Sequence, residues 1–258
     1  MPFHADVEKW CDLKPEANAV TIGDQTLSFQ NLIAKRNELN CRVILTDARR
    51  SSHQINAKVV ALIAENSLQF ISRFLSATYG QNCCLLLSSA LKASQIKSIC
   101  EQVAPDIIFP HPLVGEFEHS YPEVANAENT QFDEHLFGEN DDSARTPFLI
   151  GLTSGTTSQP KAFIRSRLSW QSSLLRSRAT FHVDETTTTI SPGPLAHGLS
   201  LYALAETLSA GAHFVSMEKF DAGGLVKLAL NHSAKRLVLV PTMLSALCRY
   251  LETESWRS

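Results

Sequence analysis

Apolar positions along the chain follow two rhythms: unbroken short runs, and runs spaced for one face of a helix. "KVVALIA" (58–64) and "CCLLL" (83–87) are continuous apolar stretches, the pattern of strands covered on both faces. Between them, "NSLQFISRFLSATYG" (66–80) sets Phe70, Ile71, Phe74 and Leu75 on one helical face. Asn66 or Ser67 caps that helix, and Gly80 is placed to end it in the left-handed conformation. An earlier helix is predicted within "TLSFQNLIAKRNELNCRVI", capped by Ser28, with Leu32, Leu39 and Val43 on one face. "SQIKSICEQV" continues as a helix and "DIIF" as a strand. Farther on, "PFLIGL" reads as a buried strand, followed after a polar loop by a helix from about Leu168. "GLSLYALAETLSAGAHFVS" is a helix ended near Gly211 and then a strand, and "GLVKLALNHSAKRLVLVPT" repeats helix then strand.

Strands alternating with helices imply right-handed crossovers and an α/β fold with largely parallel sheets. The pattern predicts two similar layered α/β subdomains, residues 1–114 and 146–258, the second carrying the candidate site and incomplete. Residues 115–145 form the expected linker. From Gly115 to Asp142 it holds nine acidic residues and no lysine or arginine, which marks a solvated connection.

Composition narrows the function. The chain has 258 residues, 44% hydrophobic and 19% charged, with a net charge of −3. That is a globular composition with no electrostatic case for a nucleic-acid binder. No stretch reaches the apolar length of a membrane span, and "MPFHADVEKWCDLKPEANAV" lacks the basic start and apolar middle of a secretory signal, so the protein reads as cytoplasmic. Cys11, Cys41, Cys83, Cys84, Cys100 and Cys248 form no CxxC pair and read as packing residues. The nine histidines show no HxxxH or HExxH pattern, and no metal site is expected in this chain.

The chemistry concentrates in "LTSGTTSQPKA" (152–162). A hydroxyl- and glycine-rich loop at the carboxyl end of a buried strand sits where α/β sheets bind ligands. Glycine lets the backbone approach a ligand, loop N–H groups converge on an anion, and the hydroxyls add donors. Lys161 adds a positive charge behind Pro160. These parts suit a polyphosphate, although GxxxxGK[ST] is absent.

The order of those residues resembles the TSGTTGxPKG signature of the adenylate-forming superfamily, which includes acyl- and aryl-CoA synthetases. Thr153, Ser154, Gly155, Thr156, Thr157, Pro160 and Lys161 match it. "TLSFQNL" is similar to the family's TYxEL segment, and "AKVVALIAENSLQFISRFLSATYG" to its strand, Asn, helix, Gly unit. "SPGPLAHGLSLYALAETLSAGAHFV" resembles its PLxHxxG segment, and "KRLVLVPTMLSALCRY" its VPT segment. Two positions depart: Ser158 and Ala162 stand where the family has glycine.

The resemblance implies the front part of a larger N-terminal domain, in an enzyme that uses ATP, with magnesium, to activate a carboxylic acid. The acid becomes an acyl-adenylate and passes to CoA or a carrier-protein thiol. On this basis Thr153, Ser154, Gly155, Thr156, Thr157 and Lys161 bind the phosphates, while His197 and Gly198 line the acid pocket. Amino-acid-activating relatives place an aspartate there, so an acid without an α-amine (fatty, aryl or other) is expected. The adenine, ribose and magnesium contacts and the catalytic lysine are expected beyond Ser258. A non-catalytic nucleotide- or acyl-binding module is the alternative, and the reading frame after Ser258 separates the two. Arg165, Arg167, Arg176 and Arg178 read as a solvated helix face, with anion steering as the rival role.

Overall fold

The computed structural model describes residues 3–48, 58–109, 146–153 and 161–255. Its elements run α1 (His4–Leu13), β1 (Asn18–Ile22), β2 (Gln25–Ser28), α2 (Phe29–Ala48), β3 (Val59–Ala64), α3 (Leu68–Ala77), β4 (Cys83–Ser88), α4 (Ala93–Val103) and β5 (Ile107–Ile108). They continue with β6 (Pro147–Thr153), β7 (Lys161–Ser166), α5 (Arg167–Phe181), β8 (Thr188–Ile190), α6 (Gly198–Ser209), β9 (His213–Ser216), α7 (Ala222–Asn231), β10 (Arg236–Leu237) and α8 (Pro241–Ser255). The α/β class with two largely parallel sheets is as the alternation predicted.

The division into units does not follow the expected boundaries. One unit comprises residues 1–2, 36–64 and 73–170, the other 3–35, 65–72 and 171–258. The cause is strand pairing between distant segments. β1, near the start of the chain, pairs with β9, and β6 pairs with β4. The predicted linker, 115–145, lies outside the described residues.

The first unit holds the sheet β5-β3-β4-β6-β7, in which only β7 runs antiparallel. The apolar runs behave as predicted: Val60, Ala61 and Leu62 of β3 and Cys84, Leu85 and Leu87 of β4 are all buried. Ile96, Ile99 and Cys100 of α4 pack with Leu85, Leu87 and Ile150 in one aliphatic core. Burial pushes the Cys83 thiol up to about 12 and Cys84 higher than its ordinary value, so both are inert packing groups. Cys248 is exposed instead, and Cys41 lies among the residues whose side chains are undescribed.

Like Arg36, Arg167 is a buried charge of this unit. Its Nη1 donates to the Thr78 carbonyl at 3.3 Å, its Nη2 to the Asn82 carbonyl and its Nε to Thr146 Oγ1 at 3.2 Å. The guanidinium also lies 5.6 Å from the centre of the Phe148 ring. Desolvation draws its pKa down to about 10, so it stays charged at neutral pH.

The second unit holds the sheet β10-β8-β9-β1-β2, in which only β2 runs antiparallel. β1 turns into β2 through Gly23 and Asp24, with Ile22 facing Gln25 and Gly23 at φ +57°, the left-handed geometry that such a tight turn requires. The residues before α2, 25–28, are strand, and Ser28 caps α2 as expected, its Oγ accepting from Asn31 N at 3.2 Å. α6 is buried from Ser200 to Ser209 apart from Tyr202. Within it, the fully buried Glu206 pairs with Arg236 Nη1 at 2.5 Å and accepts from Ser177 Oγ.

Candidate functional site

The glycine- and hydroxyl-rich segment begins at the end of β6, whose Phe148, Leu149 and Ile150 are buried. β6 lies parallel to β4, with Leu149 opposite Cys84, so its last residue, Thr153, is at the carboxyl edge of a parallel sheet. The chain then returns as β7, antiparallel to β6, and Lys161 faces Thr153 across the ladder. The sequence pattern predicts a helix from about Leu168 directly after the loop. The strand "KAFIRS" intervenes, and α5 starts at Arg167.

That hairpin brings together the two ends of the predicted phosphate motif. Facing residues of an antiparallel pair have Cα atoms about 4.5–5.5 Å apart. Ser154, Gly155, Thr156 and Thr157, with Ser158 and Pro160, lie outside the described residues. Two residues below the loop, Gly151 faces Phe163, and a Cβ on Gly151 would stand 2.3 Å from Phe163 Cζ. Gly151 therefore lets the aromatic ring lie across the strand at the base of the loop.

The four arginines divide. Arg176 is exposed on α5, as read from the sequence. Arg167 is a buried tie rather than part of a solvated face. Arg178 Nη1 donates to the Ser209 carbonyl and Oγ, both at 3.0 Å, and lies 3.9 Å from Asp6 Oδ2. Arg165 Nε donates to Ser169 Oγ at 3.0 Å.

In the second unit the carboxyl edge of the sheet carries the other predicted site residues. β8 ends at Ile190, and Ser191–His197 lead into α6. Ser216 Oγ donates to the Ser191 carbonyl at 2.7 Å, and Ser191 Oγ and Ser200 Oγ are 3.1 Å apart. A Cβ on Gly193 would stand 2.4 Å from Ser200 Oγ, so a side chain there would require that hydroxyl to turn away. Asn66, read from the sequence as a possible helix cap, reaches this loop instead. Its Nδ2 donates to the carbonyls of Gly193 and Met217, and its Oδ1 accepts from Leu195 N at 2.8 Å. Ser67 takes the cap of α3, accepting from Phe70 N at 3.1 Å.

His197 occupies the N-cap position of α6 in extended conformation, φ −100° and ψ 140°, and its imidazole makes no capping hydrogen bond. Its own N–H donates to the Pro194 carbonyl at 3.0 Å. His197, Gly198 and Leu199 are exposed, whereas Leu195 and Ser200 on either side are buried. The loop thus presents the imidazole and the open first turn of α6 at the surface, and residues 191–198 contain no carboxylate.

A cavity of about 620 Å³ also opens in the second unit, lined by Ser177, Phe181, Tyr202, Arg236 and Leu239 among others. Several of its polar groups are already engaged. Lys235 Nζ donates to Thr186 Oγ1 at 2.9 Å, and Arg236 and Ser177 hold Glu206. Among the described residues no group of three His, Cys, Asp or Glu side chains is arranged to hold a metal ion. None of the described helices is long and apolar enough to cross a membrane.

Residues 7–257 match the family model described as AMP-binding enzyme. A Staphylococcus epidermidis protein, provisionally named a long chain fatty acid-CoA ligase, is 36% identical over 149 residues, 54% of this chain and 32% of its own. Its namesake in Staphylococcus haemolyticus is 27% identical over 248 residues, 93% of this chain and 48% of its own. The chain therefore spans half or less of the length of these relatives. Among solved structures, the O-succinylbenzoate coenzyme A synthetase of Bacillus subtilis in complex with AMP superimposes with a TM-score of 0.76 at 18% identity. The superposition covers 97% of this chain and 51% of the synthetase chain, a likeness of fold.

Proposed function

The chain belongs to the AMP-binding enzyme family, and on that premise we propose that it binds ATP and a carboxylic acid for AMP-forming activation. In that reaction a carboxylate oxygen attacks the α-phosphorus of ATP, pyrophosphate leaves, and an acyl-adenylate forms. A thiol, that of CoA or of a carrier protein, then attacks the acyl carbon and AMP departs. Chemistry of this kind rests on positioning and charge stabilisation rather than on a protein nucleophile.

Thr153, Ser154, Gly155, Thr156, Thr157 and Lys161 are assigned to the phosphates. His197 and Gly198 are assigned to the acid, whose carboxylate finds an exposed imidazole and open helix-terminal N–H groups. The absence of any acidic side chain in residues 191–198 favours an acid without an α-amine. The names of the staphylococcal relatives favour a fatty acid among these. Among the described residues no group of three acidic, histidine or cysteine side chains is arranged to hold magnesium.

The observation that carries the proposal is the register of β6 and β7, which sets Lys161 beside Thr153. Lys161→Ala should weaken binding of ATP or pyrophosphate to this chain, measured by calorimetry. Loss of one charged phosphate contact corresponds to about ten- to a hundredfold in Kd. Equal affinity in the two proteins would remove Lys161 and the loop from the phosphate site.

A further inference from the structure

The loop that presents His197 is fastened by one side chain from a distant part of the sequence. Asn66 uses both amide hydrogens and one oxygen lone pair on backbone groups. The Gly193 carbonyl lies at 3.0 Å, the Met217 carbonyl at 2.9 Å and Leu195 N at 2.8 Å. Gly193 and Leu195 bracket Pro194, the residue whose carbonyl accepts the His197 N–H. Met217 directly follows β9. The amide therefore joins the loop after β8 to the end of the neighbouring strand, two to four residues from His197.

We propose that Asn66 is a positioning residue: it sets the path of residues 193–197 and so the place of His197 and of the first turn of α6. This rests on the reading of His197 as a residue facing the acid. Asparagine suits the task because the two carbonyls need donors and the one N–H needs an acceptor. Aspartate keeps the size and the acceptor but sets a carboxylate against two carbonyl oxygens. Because Ser67 caps α3, loss of the Asn66 amide leaves the helix start intact. Because Ser216 holds the Ser191 carbonyl, the end of β8 also stays fastened. What is released is the stretch that carries the histidine.

The test uses this chain with Asn66→Ala and, as an isosteric companion, Asn66→Asp. Hydrogen exchange by mass spectrometry is read for the peptide covering 193–198 and for α3, with calorimetric Kd values for a long-chain fatty acid and for ATP. In the folded variants, exchange in 193–198 should accelerate by about ten- to a hundredfold while α3 is unchanged, in line with the loss of two or three hydrogen bonds. The fatty-acid Kd should rise about tenfold and the ATP Kd should not move. Unchanged exchange in 193–198, equal acceleration throughout the unit, or an equal loss of ATP and acid binding would overturn the proposal. So would failure of both variants to fold, which would assign Asn66 to the stability of the unit as a whole. If the unsubstituted chain binds no fatty acid, the reading of His197 falls, and the exchange data alone decide whether Asn66 positions the loop.

Discussion

The two sheets share one plan and differ at one hairpin. Among the described residues, each has four parallel strands and an antiparallel strand at one edge, β7 in the first unit and β2 in the second. The β1–β2 hairpin closes with two residues, Gly23 and Asp24, between the facing pair Ile22 and Gln25. The β6–β7 hairpin closes with seven, 154–160, between Thr153 and Lys161. Joining the strands therefore does not call for the longer loop. Its extra length and its serines, threonines and glycine are available for binding, and that separates a turn from a candidate site.

The interiors differ as well. The first unit packs its sheet with leucine, isoleucine and cysteine, and its buried polar groups include Arg36, Ser76, Thr78 and Arg167, the last tied to carbonyls. The second buries hydroxyls and a carboxylate: Thr21, Thr189, Ser191, Ser200, Glu206, Thr207 and Ser216 are all under 5% exposed. The largest expected effect follows from that contrast. Glu206→Ala leaves the Arg236 guanidinium without its counter-ion and Ser177 without its acceptor. Removing one partner of a buried pair costs about 3–5 kcal/mol, measured as the shift in urea unfolding. The double variant Glu206→Leu with Arg236→Met should recover most of that loss, since well-packed apolar replacements of buried pairs are tolerated. A loss below about 1 kcal/mol, the scale of an exposed pair, would show that the carboxylate reaches water and that the interiors are more alike than they look.

A second contrast is acid sensitivity. His213 begins β9, with its Nε2 2.8 Å from Thr21 Oγ1 and its ring 5.4 Å from that of His232. Burial, aided by the neighbouring His232, lowers its pKa to about 4. Above pH 6.5 the ring is neutral in the folded and unfolded chain alike. As pH falls from 6.5 toward 4 the unfolded chain takes up the proton and the folded one resists it, so stability drops. Below 4 the loss is complete. Its size is about 2 kcal/mol after allowance for partial exposure. His213→Gln should remove that part of the pH dependence between pH 7 and 4.5. Identical pH profiles for the two proteins would mean that the histidine is solvated.

How much of this was legible follows from which forces leave a local trace. The runs 58–64 and 83–87 were readable because a strand covered on both faces must be apolar throughout. Phe70, Ile71, Phe74 and Leu75 were readable because helical spacing gathers them. The β1–β2 hairpin left only a Gly-Asp pair between two brief strands, too short to stand out beside the helical pattern that follows. β7 was hidden because "KAFIRS" carries two charges and is strand only through pairing with β6. The grouping into units was not legible, since the pairing of β1 with β9 is written nowhere near either strand. Of the candidate site, the loop composition and His197 stand out in the sequence as proposals. Asn66 does not, because a side chain that serves distant carbonyls resembles a cap when seen beside Ser67.

The hairpin contrast itself can be broken with the smallest expected change in stability. If residues 154–160 serve binding and not closure, replacing them with Asn-Gly, a two-residue turn of the kind that joins tight hairpins, should leave the fold intact. Shortening the loop reduces its closure entropy by about 1 kcal/mol, so the unfolding midpoint should stay level or rise slightly. The Gly151–Phe163 contact and the β4–β6 pairing lie outside the replaced residues and should persist, visible as unchanged amide protection in β6. Binding of ATP and pyrophosphate should vanish, while fatty-acid binding, assigned to the other unit, should not. A shortened chain that unfolds more easily by more than about 2 kcal/mol, beyond what closure entropy allows, would show that the loop residues support the sheet. The two hairpins would then differ in packing and not in purpose.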